Sequence, residues 1–167
     1  MNKGLYVVMG VSGSGKTVIG SALASSLGVE FVEGDDFHPE ENVKRMASGI
    51  ALTDEDRAPW LRSIAARLRA AKDDETGLVV SCSALKRSYR DLLRAEAGDV
   101  RFIFLKGARA LIAERLATRS GHFMPPSLLD SQFAALEKPR PDEDVWECDI
   151  RRSPAALVAA LVARASA

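Results

Sequence analysis

The chain has 167 residues, 47% apolar and 28% charged, with 23 Lys+Arg against 23 Asp+Glu. That length suits one domain, residues 1–167, with a real core. The balanced charge excludes the one-signed field that draws a protein to nucleic acid or a membrane. No apolar stretch approaches a membrane span. Met1-Asn2-Lys3-Gly4 runs straight into the first predicted strand, so no signal peptide is expected and a cytoplasmic location is.

Tyr6–Met9 reads as a strand apolar on both faces, as parallel strands are. It leads into Gly10-Val-Ser-Gly-Ser-Gly-Lys-Thr17, which fits G-x-x-x-x-G-K-[ST]. Gly10, Gly13 and Gly15 permit turns that side chains resist. The N–H groups of Gly10, Ser12, Gly13, Ser14, Gly15, Lys16 and Thr17 then converge as an anion nest at a helix N-terminus. Lys16 adds a mobile cation for β- and γ-phosphates, and Thr17 a hydroxyl for Mg2+. A helix over Lys16–Leu27, ended by Gly28, completes the strand–loop–helix context that separates this motif from a chance glycine-rich turn.

A second short strand, Val29–Glu33, ends in Gly34-Asp35-Asp36-Phe37-His38. For phosphoryl transfer, one acid must orient or deprotonate the acceptor hydroxyl. Asp35 is assigned that role, Glu33 a water-mediated contact to magnesium, and Asp36 the capping of the next helix. His38 is read as a hydrogen-bonding group of the pocket. Helices are predicted over Pro39–Ser48 and from Asp54 toward Lys72, the latter with Ile64, Ala65, Leu68 and Ala71 as its apolar stripe. Thr53 and Asp56 resemble a capping box with a shortened acid. Arg57 reads equally as a solvated surface charge or as a fork for a carboxylate substrate.

A third strand, Leu78–Ser81, precedes a helix over Lys86–Glu96. Lys86 and Arg87 sit where the helix dipole disfavours cations, which points to anion binding rather than a solvated pair. Strands Arg101–Leu105 and Val145–Ile150 and helices Ala108–Thr118, Ser127–Glu137 and Pro154–Arg164 complete the pattern. Arg115 and Arg119 share a helix face. Arg119 is read as reaching the transferring phosphate and Arg115 as stacking on a purine, against an ordinary solvated face. Residues 119–131, with Gly121, His122 and a Pro-Pro pair, read as a mobile lid. Cys82 and Cys148 read as buried reduced thiols. Five strands alternating with helices mean a parallel sheet covered on both faces, binding ligands at the C-terminal ends of its strands.

His38-Pro39, Met46-Ala-Ser-Gly49, Leu52 with Asp54, Asp56-Arg57 with Pro59-Trp60, Cys82-Ser-Ala-Leu-Lys86, Tyr89-Arg-Asp-Leu-Leu93 and Gly121-His-Phe123, with the phosphate loop, resemble gluconokinase of the short P-loop type. The resemblance runs from the first strand through Glu137. It implies a three-layer P-loop fold of sheet order 2-3-1-4-5 with a lid, and transfer of the ATP γ-phosphoryl to the C6 hydroxyl of D-gluconate, often by a homodimer. It further implies that Arg57, Lys86, Arg87 and His38 hold the acceptor, that Gln132 falls near a substrate-binding position, and that Pro154 with Arg115 flanks adenine. Glu33 stands where relatives often carry aspartate, and Asp36 where an apolar residue is common. Rival acceptors on the same scaffold are shikimate, a nucleoside monophosphate or adenylylsulfate. A non-catalytic nucleotide switch is disfavoured because no Asn-Lys-x-Asp guanine reader appears.

Overall fold

The computed structural model describes residues 3–118 and 126–167. Five strands, β1 Leu5–Met9, β2 Phe31–Glu33, β3 Leu78–Ser81, β4 Val100–Lys106 and β5 Trp146–Asp149, form one parallel sheet in the order β2-β3-β1-β4-β5. The helices are α1 Lys16–Leu27, α2 Glu40–Ala47, α3 Asp54–Asp73, α4 Arg87–Ala97, α5 Arg109–Thr118, α6 Pro126–Ala135 and α7 Pro154–Ser166. The expected fold class and sheet order are both met.

Alternation along the strands sorts the core into two layers. Leu5, Val7 and Met9 of β1, Leu78 and Val80 of β3, and Phe102 and Phe104 of β4 face Trp60, Leu61, Ile64 and Leu68 of α3 and Leu93 of α4. Val8, Val79, Ile103 and Leu105 face Ile19 and Leu23 of α1, Ile112 of α5 and Leu157 and Leu161 of α7. Both sheet faces are therefore dry, which is why these strands read as continuous apolar runs.

Most element ends lie within one or two residues of expectation, and two departures have a clear physical cause. The second strand starts at Phe31, because the Val29 N–H closes the end of α1 on the Ala24 carbonyl at 3.0 Å while Gly28 takes φ 70°. Asp36 does not cap α2. It lies in a 3-10 turn over Gly34–Phe37, and α2 starts after Pro39 with no side-chain cap. The capping box is present: the Asp56 N–H donates to Thr53 Oγ1 at 3.1 Å and the Thr53 N–H to Asp56 Oδ2 at 3.0 Å. Both cysteines are buried and unbridged.

Candidate active site

The loop between β1 and α1 has the backbone its sequence demands. Gly10, Gly13 and Gly15 take φ of 151°, 82° and 100°. A Cβ on Gly13 would lie 2.7 Å from Leu116, so only glycine fits there. The Lys16 ammonium folds across the loop and donates to the carbonyls of Gly10 and Val11, both at 3.0 Å. Ser14 is buried, and its Oγ has no hydrogen-bond partner among the described residues. The Ser12 N–H donates to Gln132 Oε1 at 2.6 Å. Gln132 thus holds α6 against the phosphate loop.

Beside the loop, the tip of β2 is tied to β3. Ser81 Oγ donates to Glu33 Oε2 at 2.9 Å and accepts from the Gly34 N–H at 3.2 Å. A Cβ at Gly34 would fall 2.0 Å from the Ser81 carbonyl, so this close approach requires glycine. The Gly34 carbonyl takes the buried Trp60 indole N–H at 2.7 Å. These contacts fix the turn that presents Asp35, which is exposed at the rim. Burial pushes the Cys82 thiol up to about 12; the Ala84 N–H opposes this, the Asp35 charge adds to it and the Lys16 charge opposes it. Asp35 and Lys16 therefore both act on one point at the end of β3.

His38 stacks on Trp60 with ring centroids 4.1 Å apart. Its Nδ1 faces the Asn42 amide nitrogen at 3.2 Å, and that same amide donates to the Asp56 carbonyl at 2.9 Å. An amide N–H2 only donates, so Nδ1 accepts and the ring proton sits on Nε2. Burial lowers the His38 pKa to about 4, with Asp35 opposing and Arg57 assisting. The ring is thus a neutral donor at physiological pH. Asn42, buried and four residues on from His38, is a site residue that sequence reading missed.

Arg57 and Lys86 meet across Tyr89. Arg57 Nη1 donates to the Tyr89 hydroxyl at 2.9 Å, the hydroxyl donates to Asp54 Oδ1, and Lys86 Nζ donates to the same oxygen at 2.9 Å. Both cations lie over the Tyr89 ring, 5.6 and 5.8 Å from its centroid. Arg57 is half-buried and held by Tyr89. Asp54 and Tyr89 stand among the motif residues of the resemblance but have no place in the expected site; the link between them joins α3 to α4.

Arg87 is placed elsewhere. Its guanidinium spans both Asp142 oxygens, at 3.2 and 2.5 Å, and its N–H donates to Glu137 Oε1 at 2.9 Å. Acids from the segment after α6 thus answer the unfavourable cation at the start of α4. At the far end of the rim, Arg115 Nη2 donates to the Ile150 carbonyl at 2.7 Å, beside the turn into α7 that carries Pro154. Arg119, His122 and most of the expected lid lie outside the described residues.

The fold and the glycine loop, with acid and cations on the adjoining rim, define a P-loop kinase, and residues 12–140 match the family model for shikimate kinase. The chain belongs to the gluconokinase family. It is 50% identical to the thermosensitive gluconokinase of Escherichia coli K12 over 147 residues, covering 87% of this chain and 78% of that one. The crystal structure of a gluconokinase from Sinorhizobium meliloti 1021 is 49% identical and superposes with a TM-score of 0.86, covering 95% and 89% of the two chains. An unliganded sugar kinase from Janibacter sp. HTCC2649 is 48% identical, with a TM-score of 0.92 and coverage of 96% and 93%.

Proposed function

We propose that this protein transfers the γ-phosphoryl group of ATP to the C6 hydroxyl of D-gluconate, giving 6-phospho-D-gluconate and ADP. One observation carries the reading: the Arg57–Tyr89–Lys86 cation cluster stands at the same C-terminal end of the parallel sheet as Asp35 and the phosphate loop, and His38 feels the charges of both Asp35 and Arg57. A carboxylate at one end of the acceptor and an alcohol at the other fit that arrangement.

Arg57 and Lys86 hold the carboxylate, and the His38 Nε2–H donates to a hydroxyl of the polyol. Asp35 takes the proton of the C6 hydroxyl. The O6–phosphorus bond forms, the bond from phosphorus to the β,γ-bridging oxygen breaks, and its electron pair leaves with ADP. Lys16 exchanges the Gly10 and Val11 carbonyls for phosphate oxygens. Arg115 and the Pro154 turn flank the base. Catalysis here is mainly positioning and charge stabilisation.

The donor set suits magnesium. The described residues hold no group of three or more His, Cys, Asp or Glu side chains in metal-binding range. Mg2+ bound with a nucleotide keeps several waters and needs few protein ligands. Thr17 would offer its hydroxyl and Glu33 its carboxylate through water. When bound, the ion neutralises the β- and γ-oxygens. The same reading extends to a cytoplasmic homodimer; a single species of monomer mass in sedimentation would overturn the dimer. No helix among the described residues is long and apolar enough to cross a membrane.

The test is mass detection of phosphorylated product from D-gluconate, with shikimate, a nucleoside monophosphate and adenylylsulfate as competing acceptors. Asp35→Asn is expected to lower kcat by about 10²–10⁴-fold, the range of a lost general base, with ATP binding retained. A fully active variant removes Asp35 from the mechanism.

A further inference from the structure

Asp54 stands at the first position of α3, yet the helix does not depend on it for capping. The reciprocal cap is made by Thr53 and Asp56, and Glu55 supplies another acid for the dipole. Asp54 instead reaches out to the acceptor cations. Its Oδ1 accepts from both Tyr89 and Lys86, and Tyr89 in turn holds Arg57. Two cations drawn from different elements are thus joined through one carboxylate and one phenol. The other rim acid, Asp35, acts on His38.

Charge counting then becomes informative. Arg57 and Lys86 alone carry two positive charges, a match for a phosphate dianion. With Asp54 the cluster carries one. We infer that Asp54 is a specificity-determining residue: by cancelling one charge of the Arg57–Lys86 pair, it tunes the acceptor site to a monoanionic carboxylate and against phosphorylated polyols. Tyr89 is the positioning residue that links Arg57 to that carboxylate. The inference rests on the acceptor site proposed above and adds the element that repels the wrong ligand, since discrimination is a difference between two affinities.

The direction of the effect follows from Coulomb's law. A dianion feels roughly twice the repulsion from Asp54 that a monoanion feels. Partial exposure and salt moderate the difference, leaving about tenfold in relative affinity at low ionic strength. The physical attraction of the polyol hydroxyls is common to both ligands and cancels in the ratio.

The experiment uses the full-length protein at low ionic strength. Dissociation constants for D-gluconate and for a hexitol 6-phosphate are measured by calorimetry without ATP, alongside gluconate turnover. Asp54→Asn keeps an oxygen for Tyr89 and Lys86 and removes only charge. Its preference is expected to move about tenfold toward the dianion, and the shift should shrink as salt is added. Glu55→Gln removes a neighbouring charge from the same helical turn and should leave the ratio in place. Tyr89→Phe is expected to raise the gluconate KM severalfold at unchanged ATP KM, without moving the ratio. A ratio that stays within about twofold in Asp54→Asn, or moves equally in Glu55→Gln or Tyr89→Phe, overturns the inference. Wild-type protein that neither binds nor phosphorylates gluconate overturns the proposed function itself. Normal wild-type turnover with an unmoved ratio overturns only the role of Asp54.

Discussion

His38 is held neutral by its surroundings, and that has a measurable consequence for stability. Stacking on Trp60 removes water from the ring, and Asn42 occupies Nδ1 with a donor that a protonated ring would repel. The folded pKa of about 4 lies below the ordinary 6.5. The unfolded chain therefore binds more protons between these values. This contribution to stability is complete above pH 6.5 and is lost as pH falls through about 4. With the ring partly exposed, the slope is worth about 1 kcal/mol per pH unit or less in the middle of that window. Urea unfolding of wild type and His38→Gln from pH 7.5 to 5 should show the wild type losing stability faster. Parallel curves would mean that the ring titrates normally. The sequence made His38 legible as a pocket group because it sits near a strand end. It could not reveal the stack on Trp60, 22 residues on, that sets its charge state.

At the scale of elements, two glycines separate what a local pattern reveals from what it hides. Gly28 follows an apolar-periodic stretch and reads as a helix stop. It has φ 70°, and a Cβ there would meet nothing within 4 Å. Gly28→Ala is expected to cost about 1 kcal/mol through left-handed backbone strain alone, with kinetics unchanged. Gly34 looks like any loop glycine, but its Cβ would strike the Ser81 carbonyl of the adjacent strand. Gly34→Ala must force the β2 tip from β3, at a cost of about 3 kcal/mol, and displace Asp35. Chemical denaturation with steady-state kinetics should therefore split the pair. Equal losses, or an unchanged kcat in Gly34→Ala, would show that the β2–β3 contact does not position the acid. The strand–loop–helix motif and the Thr53–Asp56 cap were legible because each is written within a few residues. The Tyr89–Asp54 link spans two helices and left no comparable trace.

Across the whole molecule, one buried cation joins regions that the chain order keeps apart. Arg90 is fully buried, and all five of its N–H groups are used. Nε and Nη2 donate to Glu143 at 2.7 and 2.9 Å, Nη1 to the Ala84 and Leu85 carbonyls at 2.9 and 3.3 Å, and Nη2 also to the Glu137 carbonyl at 3.0 Å. The turn leading to Lys86 and the segment following α6 are thereby fixed to each other, and Ala84 is held at φ 43°. Burial acts to raise the Glu143 pKa, but hydrogen bonds and charge from Arg90, with help from Arg94 and the Arg140 N–H, bring it down to about 2. Its stabilisation is thus present above the ordinary 4.5 and lost as pH falls through about 2. Sequence pattern counts Arg90 as one more polar helix residue, because its acceptors lie as far as 53 positions away.

Glu143→Gln leaves the guanidinium charge buried without its counter-ion and is expected to cost about 3 kcal/mol. Replacing the whole pair, Arg90→Met with Glu143→Leu, often restores stability in a simple buried ion pair. Here it should not, because three backbone carbonyls lose their donor, at about 1 kcal/mol or more each. The double variant is therefore expected to remain about 3 kcal/mol below wild type. Its gluconate KM should rise as the Lys86 turn loosens, while its ATP KM holds. Thermal unfolding and acceptor kinetics on the single and double variants make the comparison. Full recovery of stability would reduce Arg90 to an ordinary ion-pair partner. Recovery of stability with a raised gluconate KM would leave its hold on the acceptor turn as the reason this charge is buried.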